Sequence, residues 1–456
     1  MTHPIDRSDE LTQALTWLHG QRWFGDKSRA LRGATIETTV PVTDAVELIV
    51  VRCTFDRGED ARYVLPTRGA IGQDAVTDEA FRTWLFDGFR DDRQLHGNAV
   101  WRWSTETSAG EVLAGIDATR STVMGVEQSN TSIVYARRVM AKLFRRLQAG
   151  INPDLEVARY LTVEAGFTHV PAVLGRVELE LAGETYLLAS LQGFVANLGD
   201  GWSWLLNRLA AIDDEGVDVS LDAVGLLGQR TGELHVALGT STPDGAFQPV
   251  TIATDDIDRL VTRVEQELGE TLAELHARNV VSDAEVAPLV AGLRARLERA
   301  SSLVGALQTR VHGDYHLGQV LRTDDHDFAI IDFEGEPSRP MTERREKTSP
   351  LKDVAGMVRS LDYAVATSVQ RATSDERVRE LRAWGEAARE RFITRYRDAI
   401  AARPELIPDD AFVDGLAIFE LEKTLYEVRY ELNNRPDWLQ IPLQALIGLA
   451  ALGRGD

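Results

Sequence analysis

The spacing of apolar positions changes near residue 200, dividing the chain into a strand-rich part and a helical part. At the start, Leu11, Leu15 and Leu18 share one face of a helix predicted over Leu11–Gly20, which Gln21-Arg-Trp-Phe-Gly25 breaks. Val46–Phe55 and Ala61–Leu65 are strand-like runs joined by Asp56-Arg-Gly-Glu-Asp60, a hairpin connection. Asp78–Phe89 is predicted as a helix anchored by Phe81, Trp84 and Phe89. From about 120 the pattern shortens to the strands Thr122–Val126, Ser132–Tyr135 and Val139–Phe144. A helix opened by Pro153 covers Asp154–Thr162, and a strand pair follows, Val173–Leu181 and Thr185–Leu191, joined by Ala182-Gly-Glu184.

After the glycine-containing linker Gln192–Gly201 the apolar period becomes helical. Trp202–Ile212, Leu221–Gly239, Asp255–Asn279 and Asp283–Gln308 all carry it, and the last two suit an antiparallel helical pair. Residues 240–252, rich in Thr, Pro and Gly, form a loop. Helices resume after Ser349 and continue to Leu452. One stretch interrupts this series: Val311-His-Gly-Asp-Tyr-His-Leu-Gly-Gln-Val-Leu321, followed by Ile330-Ile-Asp-Phe-Glu-Gly335.

Composition narrows the function classes. At 456 residues the chain has room for two or three domains, and its 44% apolar and 27% charged residues are those of an ordinary globular protein. No apolar run reaches the roughly 18 residues of a membrane span, and the N-terminus lacks the pattern of a secretion signal. Cys53 is the single cysteine, so no internal disulfide exists and a cytoplasmic setting is expected. A net charge of −21 argues against nucleic acid as a partner. Five lysines (Lys27, Lys142, Lys347, Lys352, Lys423) stand against forty-five arginines, so a lysine at a special position is informative.

The interrupting stretch carries the chemistry. Asp314 and Asp332 lie eighteen positions apart, enough for a loop, a strand, a turn and a return strand. One carboxylate can orient an acceptor hydroxyl and the other can hold a metal ion, as phosphoryl transfer from a nucleotide requires. Gln319 stands five residues after Asp314, where Asp-x-x-x-x-Asn would place asparagine; its amide oxygen still suits Mg²⁺. Glu334 joins Asp332 as a metal ligand or supports it. Ser129, Asn130, Thr131 and Ser132 sit where a nucleotide-covering loop would lie, although an ordinary hairpin turn has the same composition. Lys142 on an otherwise apolar strand needs a partner, and Glu156 on the next helix is the candidate. Near the end, Lys423, Tyr426, Glu427 and Tyr430 share one helical face, and Trp438 follows. Aromatic faces beside charged groups suit a sugar, and equally an amphipathic surface helix with incidental aromatics.

These segments together resemble the aminoglycoside phosphotransferase-like branch of the protein-kinase fold, and within it the bacterial maltokinases. The carrying residues are His312–Leu321, Ile331–Gly335, Gln21–Phe24, Ser129–Ser132, Lys142–Arg145, Asn152–Glu156, Gly199–Trp202, Ser349–Arg359 and Tyr426–Leu443. The resemblance implies an α+β, two-lobed protein-kinase-like fold, with a β-rich N-lobe and a mainly helical C-lobe. A small N-terminal cap precedes them, giving a cap over 1–95, an N-lobe with hinge over 96–200 and a C-lobe over 201–456. It implies ATP and Mg²⁺, with adenine at Gln192–Val195 and phosphates at Lys142 and the Ser129–Ser132 turn. Gln319, Asp332 and Glu334 would hold metal, Asp314 would act on the acceptor hydroxyl, and His316 would contact the acceptor. The implied reaction is phosphorylation of maltose at its anomeric hydroxyl to maltose 1-phosphate. Because the family includes forms fused to trehalose synthase, that enzyme becomes a candidate partner. Glucosamine or another sugar as acceptor, and a sugar- or nucleotide-binding pseudokinase, remain as alternatives. Asp353 at the start of the Ser349–Tyr363 segment is expected to anchor the catalytic loop.

Overall fold

The computed structural model describes residues 16–69, 72–125, 130–211, 214–336 and 339–452. The chain divides into two compact units: one holds the chain to Val163 with Pro171–Ala196, the other Glu164–Val170 and everything from Asn197.

The first unit contains two antiparallel sheets. In the smaller, the spatial order is Leu31–Pro41, Val46–Phe55, Ala61–Arg68 and Arg146–Leu147. The apolar run in Val46–Phe55 is continuous because both faces of its sheet are covered. Val46, Leu48 and Val50 enter one core, while Ile49, Val51 and Cys53 enter another with Leu18, Trp23 and Phe24. Side chains alternate across a strand, so each face collects every second residue. Each fully buried Val, Leu or Phe contributes about 1.5–3 kcal/mol. A charge at Val50, which is fully buried, would break this arrangement.

The larger sheet has seven strands in the order Gln94–His96, Val100–Thr105, Val173–Leu181, Glu184–Gly193, Val139–Phe144, Asn130–Tyr135 and Ser121–Val123. The predicted strands are present with small changes of boundary. The segment Val100–Thr105, in which Trp101 and Trp103 are buried, adds a strand that was not among those predicted. The predicted helix Asp78–Phe89 is Glu79–Arg90, capped by Asp78, whose side chain accepts from the Ala80 amide. The helix after Asn152 ends earlier than predicted: Pro153–Arg159 is α-helical, and Tyr160–Glu164 forms a π-helical turn. Asn152 caps its start, accepting from the Leu155 amide at 3.2 Å.

The second unit is mainly helical. Asp214–Leu238 packs against Asp375–Ile400 with backbones in close approach, since a Cβ at Gly228 would lie 2.3 Å from the Phe392 carbonyl oxygen. Leu351–Gln370 and Asp409–Asn434 pack beside them. The predicted single helix over Asp283–Gln308 is shorter, Asp283–Leu297, followed by a 3-10 segment, Glu298–Leu303. It packs chiefly on Gln440–Leu452, with only slight contact to Thr254–Ala277, so the expected antiparallel pair is a minor feature. A three-stranded sheet, in the order Asn197–Asp200, Val320–Thr323, Phe328–Ile330, carries the acidic loops. Among the described residues no helix is long and apolar enough to cross a membrane.

Candidate active site

The hairpin Val320–Thr323 with Phe328–Ile330 sets the two acidic loops side by side. Its ladder is prolonged by the Ile331 amide, which donates to the Gln319 carbonyl at 2.9 Å. The His312-Gly-Asp314 turn is fixed from below by Asp353, a fully buried carboxylate on Leu351–Gln370. Asp353 accepts from the His312 amide at 2.7 Å, the Gly313 amide at 2.9 Å and His235 Nε2 at 3.1 Å. Burial opposes its charge, but His235 and these donors outweigh burial and hold its pKa low. The anchoring role expected for Asp353 thus has a direct geometric basis.

Two glycines bring the loops into contact. Gly313 (φ +86°) and Gly335 (φ +70°) occupy the left-handed region, and a Cβ on Gly313 would lie 3.3 Å from the Gly335 Cα. Asp332, at φ +69°, shares that region, which non-glycine residues occupy seldom and chiefly at functional sites. Gln319 Nε2 donates to Asp332 Oδ2 at 3.0 Å, leaving the Gln319 amide oxygen as its ligating atom. Asp332 and Glu334 offer carboxylate oxygens within 4.8 Å of each other. Such hard oxygen donors fit a divalent cation of the Mg²⁺ type.

Asp314 is met by a lysine from another helix. Lys423, in the middle of Asp409–Asn434, places Nζ 3.2 Å from Asp314 Oδ1. Burial pushes the Asp314 carboxyl up, but Lys423, then His316, outweigh it, so its pKa lies below the usual carboxylate range. Lys423 is correspondingly raised: burial disfavours its charge, while Asp314, Glu336 and Glu427 favour it more strongly. His316 Nδ1 accepts from the Gly318 amide at 3.0 Å, and its Nε2 lies 4.0 Å from Asp314 Oδ2. Burial lowers the His316 pKa, so the ring is neutral at pH 7 with its proton on Nε2.

Asp314, Lys423 and Tyr426 line a cavity of about 280 Å³. Its wall is dense in charge: Glu267, Glu336, Glu343 and Glu422 alternate with Arg263, Arg339, Arg429 and Lys352. Glu336 pairs with Arg339 at 2.6 Å, and Glu422 with Arg263 at 3.1 Å. Burial and the adjacent Glu422 raise the Glu267 pKa. Of the acceptor residues expected from the sequence, Lys423 and Tyr426 line this cavity, while His316 stands outside its lining with Nε2 4.0 Å from Asp314 Oδ2. Glu427 does not serve as expected: it is buried, and Oε2 accepts from Arg359 Nε at 3.0 Å and NH2 at 2.8 Å. Tyr430 stacks on Tyr426 at 6.2 Å, and Trp438 stacks on Tyr363 at 6.4 Å; both lie outside the cavity lining. The sequence reading missed Glu267, Arg263 and Glu422, which come from helices that only tertiary packing brings to Asp314.

In the first unit, Lys142 lies between Ser132 and Ser190 across neighbouring strands. Its Nζ is 3.0 Å from Asp154 Oδ2, an ion pair with the residue two positions before Glu156, the partner expected from the sequence. Asp154 lies in the first helical turn, where a carboxylate also meets the positive end of the helix dipole. Asn130, Thr131 and Ser132 belong to a strand rather than a turn, and all three are buried. The Thr131 hydroxyl accepts from Arg145 Nε at 2.9 Å. Ser129 lies outside the described residues. Gln192 is the penultimate residue of the strand Glu184–Gly193, with Val195 three residues on.

Comparison with known proteins adds to this geometry. Residues 17–91 match the maltokinase N-terminal cap domain family. A glucosamine kinase of Streptacidiphilus jiangxiensis is 31% identical over 329 residues, covering 71% of this chain and 72% of that protein. A glucosamine kinase of Mycolicibacterium smegmatis is 27% identical over 370 residues, covering 78% and 83%. A crystal structure of glucosamine kinase with glucosamine, ADP and inorganic phosphate superposes with a TM-score of 0.69 at 24% identity, covering 95% and 98%. The β-rich N-terminal region, the helical C-terminal region and the cap make this a kinase-like two-lobed fold, and its kinase relatives make it a phosphotransferase with a hydroxyl acceptor. The chain belongs to the family of these glucosamine kinases. The resemblance to maltokinases is therefore upheld for the cap, while the relatives matched over most of the chain are named for glucosamine.

Proposed function

We propose that the protein transfers the γ-phosphoryl group of ATP to a hydroxyl of an amino sugar, with glucosamine the foremost acceptor. The observation that carries this reading is the cavity itself. Asp314 is held ionised by Lys423 at the wall of a sugar-sized space bearing Glu267, Glu336, Glu343 and Glu422. A hydroxyl hydrogen-bonded to Asp314 has its oxygen oriented for in-line attack on the γ-phosphorus; as the new P–O bond forms, the bond to the β–γ bridging oxygen breaks, ADP leaves, and the hydroxyl proton passes to the carboxylate. A carboxylate of lowered pKa is a weak base, which suits a loose transition state in which the proton leaves late. His316, neutral and carrying its proton on Nε2, donates to the acceptor. The preference for an amino sugar over a neutral one is supported by the relatives named glucosamine kinase, since the carboxylates of the cavity are matched by Arg263, Arg339, Lys352, Lys423 and Arg429.

Lys142, positioned by Asp154, meets nucleotide phosphates, with Asn130, Thr131, Ser132, Gln192 and Val195 around the nucleotide. Asp332, Glu334 and the Gln319 amide oxygen would hold Mg²⁺, which when bound neutralises charge on the phosphates. Catalysis by the chain's own groups is then positioning and charge placement.

Maltose is the second reading, supported by the match of residues 17–91 to the maltokinase cap. A trehalose synthase partner belongs to that reading. An ATP-coupled acceptor panel of glucosamine, maltose, glucose and an aminoglycoside separates them. Glucosamine should give the highest kcat/KM. A tenfold or greater preference for maltose, on the scale of about 1.4 kcal/mol, would overturn the amino-sugar assignment. Nucleotide binding without transfer to any sugar would overturn both.

A further inference from the structure

A second cavity, of about 700 Å³, lies in the helical unit beside the one containing Asp314, and Arg263 and Phe419 line both. Its wall carries an excess of positive charge, with Arg263 also paired to Glu422 at 3.1 Å. Arg259, Arg263, Arg310, Arg345 and Lys347 line it, opposed by the carboxylates Asp256 and Glu346. In a chain of net charge −21 this is a marked local reversal. Asp256 is already committed: it accepts from the Ala253 amide at 2.8 Å and from Gln308 Nε2 at 3.3 Å, and it pairs with Arg259.

We propose that this cavity is an anion site for a sugar-phosphate-sized metabolite, with the guanidinium groups meeting its phosphate oxygens. Arginine forks match phosphate bidentately, and a cavity of this volume falls in the range of small-molecule sites. Arg310 is 2% exposed, with its guanidinium 5.2 Å from the Phe247 ring centre, so it is a rigid buried cation. Lys347 Nζ donates to the Gly245 carbonyl at 2.8 Å, which orients the ammonium at the rim. Burial and then the neighbouring Arg310 hold the Lys347 pKa below its ordinary value, as expected where positive charge is in excess. The anion has two sources: a phosphate carried by the acceptor itself, reaching past Arg263, or a separate phosphorylated effector.

The test is calorimetric titration of glucose 6-phosphate into the full chain with ADP saturating the nucleotide site. Binding is expected, and the double variant Arg345→Gln, Lys347→Gln should weaken it at least about tenfold, as loss of a charged hydrogen bond implies. Glu346→Gln should tighten it. These side chains are at least partly exposed, and unchanged melting temperatures would show that the variants fold. Turnover of a neutral or amino sugar should be unaltered in all of them. No binding, or equal binding by wild type and double variant, overturns the proposal. Phosphorylation of the bound sugar phosphate assigns the anion to the acceptor, while binding without turnover assigns it to an effector. The binding readout is independent of the acceptor panel, so failure of the kinase reading and failure of this site are separate results.

Discussion

Two Lys–Asp pairs of nearly equal length are assembled in opposite senses. Lys142 and Asp154 meet at 3.0 Å, Lys423 and Asp314 at 3.2 Å, and both pairs are largely shielded from solvent. In the first, the lysine extends from the middle of a sheet and the aspartate lies in a helical turn; in the proposed reading the cation is the working group and the acid steadies it. In the second, the aspartate sits on a loop fixed by Asp353 and the lysine comes from the middle of a 26-residue helix. There, in the proposed reading, the acid works, and the cation keeps it ionised. The same contact therefore serves two ends, decided by which partner is left facing the ligand.

The comparison can be broken most sharply at the acids. Asp314→Asn should lower kcat by about 10²–10⁴, the span of general acid–base catalysis, with nucleotide affinity retained. Steady-state kinetics beside nucleotide titration checks this, and full activity would refute the role. Lys142→Met should act chiefly on the nucleotide, raising its KM and lowering kcat/KM by about 10²–10³, the effect of losing a preorganised electrostatic contact. An unchanged KM for ATP would remove Lys142 from the phosphate site. Lys423→Met should cost roughly 10–100-fold in kcat, in line with about 1.5–3 kcal/mol for a hydrogen bond to a charged group. It should also move the acid limb of the pH–rate profile upward. Asp314 has a lowered pKa, so activity is present above it and lost as pH falls through it. Without Lys423, burial is opposed by less positive charge and the loss begins at higher pH. The smallest effect is expected at Glu427→Gln. Its bond to Arg359 is buried and away from the cavity, so stability should fall by roughly 1–3 kcal/mol with kcat/KM little changed. A large loss of kcat/KM at unchanged melting temperature would return Glu427 to the acceptor site.

Much of this was legible in the sequence, for identifiable reasons. The acidic loops were readable because hydrogen-bonding geometry ties chemistry to fixed spacing within one hairpin, so Asp314, Gln319 and Asp332 announce themselves locally. Lys142 stood out as a charge in an apolar strand. Asp154, which pairs with it, did not, since it shares the first turn of one short helix with Glu156 and spacing alone does not single it out. On Asp409–Asn434, spacing placed Lys423, Tyr426 and Glu427 together, but burial separates them, and Arg359 from another helix takes Glu427. The strand Val100–Thr105 was overlooked although Trp101 and Trp103 alternate with Arg102 as a half-buried strand requires; at six residues the alternation is short. Glu267, Arg263 and Glu422 carry no local signature at all.

The strand Val46–Phe55 answers to two sets of neighbours, Leu18, Trp23 and Phe24 on one face and the cluster of Trp101, Leu143 and Leu179 on the other. Drift in this strand is therefore constrained twice over, and its substitution rate should lag that of the flanking hairpin turns. It also limits recombination: a cap grafted from a distant relative would arrive with one face shaped for a different host, and would need Trp101, Leu143 and Leu179 to travel with it.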